Sequence, residues 1–495
     1  EYLVHHEHIG GPSNWSTPQW REYCLIAVRG NGMTLQYAGP LLQADVEVVA
    51  SAVSNAGAGA LQFVHGEVLQ IEAADERPNV VFIMADDLGY GDLSCYGGWI
   101  ETPHIDSIAK NGLRLMDYHS NGNVCSPTRA ALMTGLYQQK VGIPFVVVAA
   151  EKNPNHFAGI QAAESTWPEV MKAGGYRTGI FGKWHLGYFE HYNPLLHGFD
   201  EFIGYVSGNV DFFSHIDQAG NEDWWNGRKL TPETGYSTHL ITKHAVSFIH
   251  ANSDSPFFLY VPHEAPHYPY QGPDDKADRT LGGTFENHGS RNDKKAAYRE
   301  MVTEMDKGVG EILYALRETG LEKNTIVVFC SDNGATSLGS NGALRGTKGT
   351  NFEGGHRVPC VVQWPGKFSP GHSNSQLMLS MDWMATILAI TNLSDKPNRQ
   401  LDGINVNEFL LGEKEPLERT VMWDDNTLRS GKWKMMLPQK GIKETLLFDL
   451  SEDPSETRNL AEDFPAVVEL LTAELLDMAN DARAKATKQP TKALE

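Results

Sequence analysis

A chain of 495 residues with 62 acidic against 41 basic side chains, a formal charge of −21, offers no basic face to nucleic acid. Its 41% apolar and 21% charged residues are those of an ordinary soluble protein, long enough for more than one domain. It lacks the run of roughly eighteen apolar residues that a membrane-spanning helix needs.

The first part reads differently from the rest. Residues 22–42 are echoed by 47–69: Ala27-Val28 returns as Ala52-Val53, and Leu35-Gln36-Tyr37 as Leu61-Gln62-Phe63. This repetition predicts paired short helices over residues 1–75, a helical extension packed on the main domain or tethered to it. No signal peptide is visible at Glu1. A charged linker with a proline (72–79) leads into an apolar, β-branched run from Val80 to Met84, the pattern of a fully buried strand.

Helical and apolar segments then alternate. Helices are predicted at Thr102–Asn111, at Ser165–Ala173 with a capping sequence STWPE, at Tyr236–Ala251 and at Lys294–Thr319. Strands are predicted at Arg114–Tyr118, Thr178–Phe181, 256–261 and 325–330. The alternation implies an α/β domain, residues 76–395, with a mostly parallel sheet covered by helices on both faces. Beyond it, over residues 396–495, RTVMWDD, KWKMML and TLLFDL read as short strands followed by a helix from Pro465, a smaller antiparallel subdomain.

Open α/β sheets bind ligands beyond the carboxyl ends of their strands. Four such ends carry unusual residues: Asp86-Asp87, Lys183 with His185, His263 with His267, and Asp332-Asn333. Three carboxylates and an amide oxygen make a hard oxygen set, suited to calcium or magnesium rather than zinc or copper. The five cysteines (Cys24, Cys95, Cys125, Cys330 and Cys360) contain no CxxC pair, so neither zinc nor a disulfide scaffold is expected. An anionic substrate would need local cations to overcome the overall negative field, which salt screens over roughly 8 Å.

Cys125 stands at the mouth of an apolar helical pattern. Ser126 is expected as its N-cap and Pro127 at its first helical position. Arg129 follows Cys125 by about one turn, so both can face the same way. A thiol at a helix N-terminus is expected to have a depressed pKa.

The run Cys125-Ser126-Pro127-Thr128-Arg129, followed by AALMTG, resembles the signature of the type I sulfatase family. So do PNVVFIMADDLGYGDLSCYG (78–97), GYRTGIFGKWHLG (175–187), APHYP (265–269), SDNGA (331–335), LRGTKGTNFEGGHRVP (344–359) and LFDLSEDPSETRNLA (447–461), in the family's order. The resemblance covers residues 76–462 and leaves the first 75 outside. It implies an alkaline-phosphatase-like fold and hydrolysis of sulfuric esters. It also implies that a formylglycine-generating enzyme oxidises Cys125 to an aldehyde, present as a geminal diol, before folding. Asp86, Asp87, Asp332 and Asn333 would ligate one calcium ion with the modified Cys125 close by. Arg129 would hold the diol, and Lys183 and Lys348 the sulfate oxygens. Asp332 would assist attack by one hydroxyl, His267 would protonate the leaving alcohol, and His185 would take the proton of the second hydroxyl. Of the two available histidines, His267 matches the family better, leaving His263 as a neighbour or substrate contact.

The signature region, with YQQKVGI after it, looks most like carbohydrate sulfatases, including arylsulfatase A-like and N-acetylgalactosamine-6-sulfatase-like types. A sulfated oligo- or polysaccharide is the expected substrate, and a secreted, periplasmic or lysosome-like location the expected compartment. Tyr188, Tyr192, Phe212, Phe213, Trp224 and Trp225 are candidates to stack on sugar rings, and Asp211, His215 and His239 to bind hydroxyls. Two alternatives remain at this stage: a phosphonate or phosphodiester hydrolase on the same scaffold, and an idle scaffold whose N-terminal repeats bind a partner.

Overall fold

Parallel strands buried on both faces read as unbroken apolar runs, and here they occupy the centre of a ten-stranded sheet. The computed structural model describes residues 77–162, 165–394 and 397–492; the repeats expected in residues 1–75 lie outside them. Across the sheet run His372–Asn374, Leu113–Leu115, Cys360–Gln363, Thr325–Ser331, Asn79–Ala85, Phe257–Pro262, Arg177–Lys183, Glu201–Tyr205, Trp225–Asn226 and Lys229–Leu230. Asn79–Ala85 pairs in parallel with both Phe257–Pro262 and Thr325–Ser331. Arg177–Lys183 continues the parallel core. Cys360–Gln363 is antiparallel to both its neighbours.

Alternation of side chains divides the core in two. Val80, Phe82 and Met84 point into one cluster, with Trp167, Trp383 and Leu132 from the covering helices. Val81, Ile83 and Ala85 point into the other, with Ile105, Leu240 and Met301 from helices on the opposite face. The expected α/β architecture is therefore present, with helices on both faces of the sheet.

The helix at Trp167–Ala173 begins as its sequence demands: Thr166 accepts from the Glu169 amide while the Glu169 carboxylate accepts from the Thr166 amide. The Arg114–Tyr118 strand does not form as one piece. It splits into Leu113–Leu115 in the main sheet and Tyr118–His119 in a two-stranded one. Between them the Met116 carbonyl accepts from Arg357, and the Asp117 carboxylate takes both terminal nitrogens of Arg429 at 2.8 Å.

Arg429 belongs to the C-terminal antiparallel sheet, which has four strands: Thr420–Trp423, Thr427–Ser430, Trp433–Met436 and Leu446–Asp449. The second of these was not evident in the sequence. The helix Pro465–Ala484 packs on this sheet through Leu471 and Leu475.

Buried contacts tie this sheet to the main domain. The Lys434 ammonium lies 3.0 Å from Glu353, 2.8 Å from Glu456 and 3.1 Å from His356 Nε2. From there hydrogen bonds run from His356 to His119 (3.0 Å) and from His119 to Asp117 (2.9 Å). Burial pushes the pKa of both imidazoles down. His119, Glu353 and His356 are close enough to hold a metal ion, but the Lys434 ammonium already bonds two of them.

Burial opposes the Asp117 charge, yet the bond to His119 and the Arg429 and Arg357 guanidiniums outweigh it and hold its carboxyl far below the usual range. A depressed carboxylate stabilises the fold fully above its unfolded pKa of about 3.9, and that stabilisation is lost as pH falls towards the folded value. Asp117→Ala leaves Arg429 buried without its partner and is expected to cost about 3–5 kcal/mol in a urea titration at pH 7. The cost should shrink progressively below about pH 4.

Candidate active site

The four strand ends converge, with the Cys125 helix and the 341–352 loop closing over them. Asp86 and Asp87 follow Asn79–Ala85, and Asp332 and Asn333 follow Thr325–Ser331; all four are buried. Lys183 is the last residue of its strand, which runs two residues further at this end than the sequence suggested. Asp87 and His185 both have left-handed backbones, φ 69° and 58°, a conformation that non-glycine residues adopt rarely and mostly where the surroundings impose it.

The cluster is built of cation–carboxylate pairs. The Lys183 ammonium contacts Asp86 Oδ2. Lys348 Nζ lies 2.6 Å from Asp87 Oδ1. Arg129 donates to Asp332 Oδ2 through Nη2 at 2.8 Å and Nε at 3.1 Å, and through Nη1 to the Lys183 carbonyl at 3.2 Å. Burial alone would lower the Lys348 pKa; the Asp87 carboxylate, with others behind it, overrides this and keeps it well above its ordinary value. Asp332 is raised, first by burial and then by Asp86, against the pull of Arg129.

Cys125 Sγ belongs to the same cluster, grouped with carboxylate oxygens of Asp86 and Asp332 that all lie within 4.8 Å of one another. Two expectations about it fail. The helix starts at Cys125 itself, with Val124 as N-cap and Pro127 two positions inside. Ser126 does not cap; its hydroxyl accepts from the Val147 amide at 3.1 Å and ties down the segment around it. The thiol pKa is raised, not depressed: burial dominates, and the lowering by Lys183 and Lys348 does not overcome it. As a thiol, Cys125 is a protonated, buried and poor nucleophile.

The histidines separate into two kinds. His185 Nε2 faces the Val147 carbonyl at 2.7 Å, so that nitrogen carries the hydrogen and Nδ1 is left as an acceptor without a partner. His267 Nδ1 donates to the Tyr268 carbonyl at 2.7 Å, and its Nε2 lies 3.7 Å from Asp87 Oδ2. Burial and the site lysines push the pKa of both well down. His263 is fully buried with neither nitrogen bonded, and burial alone takes it down to about 3. No charge of the cluster contributes to that shift, unlike those of His185 and His267.

Three acceptor oxygens in the cluster, Asp86 Oδ1, Asp87 Oδ2 and Asn333 Oδ1, are buried without any hydrogen-bond donor. Buried oxygens of this kind are costly unless something positive lies among them. An all-oxygen donor set of this composition fits a hard divalent cation.

The Lys348 loop is held from both sides. Gly349 donates to the Asn123 carbonyl at 2.8 Å and Lys348 to the Ala335 carbonyl at 3.0 Å. Gly334, next to Asn333, lies so close to the loop's far end that a Cβ there would meet the Gly354 carbonyl oxygen at 1.9 Å. Asn123 and Asn351, which bond each other across the loop, were not singled out from the sequence; their partners are remote in the chain and no local pattern marks them.

Half of the six aromatic candidates are fully buried core residues. Tyr192, Phe212 and Trp224 are buried, and His215 stacks on Trp224 with centroids 4.3 Å apart. Asp211 is spent on the backbone amides of Phe213, Ser214, Asp278 and Arg279. His239 is exposed and pairs with Glu304. Tyr188, Phe213 and Trp225 are partly exposed.

Fold and cluster together define an alkaline-phosphatase-like hydrolase of sulfuric esters. The chain belongs to the sulfatase family, whose model matches residues 78–393. A C-terminal model described as N-sulphoglucosamine sulphohydrolase matches residues 347–481. N-acetylgalactosamine-6-sulfatase of Mus musculus is 35% identical over 395 residues, covering 74% of this chain and 72% of its own length. Arylsulfatase A of Bos taurus is 31% identical over 453 residues, covering 78% and 84%. Among solved structures, Ps i-CgsB in complex with k-i-k-neocarrahexaose superposes with a TM-score of 0.72 at 27% identity, covering 83% of this chain and 94% of that one. Among the described residues no helix is long and apolar enough to cross a membrane.

Proposed function

We propose that this sulfatase releases inorganic sulfate from a sulfated oligo- or polysaccharide, using a formylglycine made from Cys125 and one calcium ion held by Asp86, Asp87, Asp332 and Asn333. The observation that carries the reading is the meeting of Cys125, three cations and three carboxylates in one buried cluster with donorless oxygens left over. The raised thiol pKa supports a cysteine that serves as precursor rather than nucleophile. The carbohydrate substrate is supported by the relative named N-acetylgalactosamine-6-sulfatase and by the neighbour in complex with k-i-k-neocarrahexaose. The reading requires a formylglycine-generating enzyme during biosynthesis and suits a secreted, periplasmic or lysosome-like compartment.

When bound, the ion supplies positive charge to the oxygens around sulfur, and the hydrated aldehyde supplies a nucleophilic hydroxyl with a second hydroxyl for product release. The protein's own groups do the rest. Arg129, fixed by Asp332 and the Lys183 carbonyl, presents an immobile cation one turn from residue 125. Lys183 and Lys348 bind the sulfate oxygens, in surroundings that exclude water and strengthen their attraction. Asp332, held by Arg129 and grouped with the Cys125 sulfur, is the carboxylate placed to accept a proton during attack. His185 Nδ1, with its lone pair unbonded, accepts the second proton.

His267 can present a proton only at Nε2, because Nδ1 is tied to the Tyr268 carbonyl. Its lowered pKa disfavours that proton in the free enzyme, and the negative charge of a bound sulfate ester favours it. His267→Ala is expected to slow hydrolysis of a sugar sulfate by about 10²–10⁴-fold. Hydrolysis of 4-nitrophenyl sulfate, whose leaving group needs little protonation, should suffer much less. Equal losses on the two substrates would remove His267 from the acid role. The substrate assignment itself is tested by sulfate release from a panel of sulfated mono- and oligosaccharides; release from aryl sulfates but from no sugar would overturn it.

A further inference from the structure

The wall on which His185 rests is held by a carboxylate outside the cluster. His185 Nε2 donates to the Val147 carbonyl at 2.7 Å. The same edge of the ring meets Gly208, so close that a Cβ there would lie 3.0 Å from both Cε1 and Nε2. Gly208 belongs to the turn that leaves the strand Glu201–Tyr205. The Tyr205 carbonyl accepts from the amide of Trp184, the residue before His185, at 2.9 Å.

Asp223 clasps this turn. One carboxylate oxygen accepts from the Val206 amide at 3.1 Å and from the Trp225 indole at 2.6 Å, and the other from the Ser207 amide at 2.8 Å. The residue is buried, and among the described residues no cation pairs with it. A carboxylate buried on hydrogen bonds alone is costly to the fold. Burial raises its pKa to about 6 against those bonds, so at neutral pH both oxygens are acceptors. The next residues have other anchors: Asn209 accepts from Arg279 at 2.7 Å, and the Val210 amide donates to Glu264 at 2.7 Å. Val206 and Ser207 depend on Asp223 for their amides.

We infer that Asp223 is a positioning residue for sulfate release: by holding the consecutive amides of Val206 and Ser207 it keeps Gly208 against the imidazole of His185 and fixes the direction of Nδ1. The inference rests on the proton-accepting role of His185 proposed above.

Asp223→Asn keeps the shape of the side chain and the oxygen that serves Val206 and Trp225, but turns an NH₂ group towards the Ser207 N–H. A misplaced reacting group costs up to about 10²-fold, and His185 acts after the alcohol has left. With 4-nitrophenyl sulfate, kcat and KM should fall together by about 10–100-fold, while kcat/KM, which reports the steps up to alcohol release, should change by less than about twofold. A second readout needs no turnover. In protein carrying ring-nitrogen-labelled histidine, the NMR signal of His185, identified by its loss in His185→Ala, should shift in Asp223→Asn. Gly208→Ala presses a methyl group on the same ring; it should repeat both effects, and it decides if the Asn variant does not fold. Asp306→Asn is the control: Asp306 is also buried and accepts from consecutive amides, His104 at 3.1 Å and Ile105 at 2.8 Å, neither of them at the site. It should change neither readout. Wild-type kinetics and signal in Asp223→Asn, a fall in kcat/KM as large as that in kcat, or equal effects from Asp306→Asn overturn the inference. Failure of the underlying reading looks different: His185→Ala then turns over at the wild-type rate. In that case the labelled signal decides. A shift in Asp223→Asn but not in Asp306→Asn supports the hold on the ring, and no shift or equal shifts overturn it.

Discussion

Cys125→Ala is expected to abolish turnover, a loss on the order of 10⁴-fold or more, the scale reached when a covalent nucleophile is removed. The substitution takes out one small buried side chain at the start of a helix, so the fold should survive and the loss should appear in kcat with little change in thermal stability. Cys125→Ser is the sharper companion. Serine supplies one hydroxyl but not two on the same carbon, so at most one alcohol per protein molecule should be released before reaction stops. Mass spectrometry of the peptide containing residue 125 from the native host should show a loss of about 18 Da relative to cysteine, the difference between thiol and aldehyde. Full turnover by the alanine variant, or by protein carrying the unmodified thiol, would end the account.

Removal of the divalent ion is expected to be nearly as severe, about 10³-fold in turnover, because the charge it offers to the transferring group is worth several kcal/mol. Stability gives a second readout. An ion that binds only the folded protein stabilises it by about 2.7 kcal/mol at a hundred times its dissociation constant, so calcium should raise the melting temperature by several degrees over an EDTA control. Asp87→Ala should remove that increment. Asp87 also pairs with Lys348 and accepts from Asn333 at 2.7 Å, so the variant loses the alignment of all three. A melting temperature indifferent to calcium in the wild-type protein would show that no ion resides among these carboxylates.

The centre of this site was legible because its residues sit at the ends of strands that announce themselves. Asn79–Ala85 and Thr325–Ser331 are buried on both faces and so are written in β-branched and aromatic residues, which makes the polar Asp86-Asp87 and Asp332-Asn333 conspicuous. What escaped the sequence depends on distance along the chain or on burial. Asp117 and Arg429 stand 312 positions apart, and no local pattern joins them, so the break in the Arg114–Tyr118 segment could not be foreseen. The thiol of Cys125 was misjudged because the helix-terminus rule is local, whereas its protonation is governed by the depth at which the helix is packed. Tyr192, Phe212 and Trp224 look the same in sequence whether they face sugar or core, and they face the core.

The buried Lys434 ammonium has a bearing on biosynthesis. Glu353 and His356, at the end of the segment that carries Lys348, rest on a lysine contributed by the C-terminal sheet, and Glu456 lies further on still. On the ribosome that segment has no floor until translation has passed Glu456. If residue 125 is oxidised as proposed, a modifying enzyme would act before the last strands dock and complete the support of the Lys348 segment. Truncation before Lys434 would leave Glu353 and His356, and with them the segment that carries Lys348, without their buried anchor.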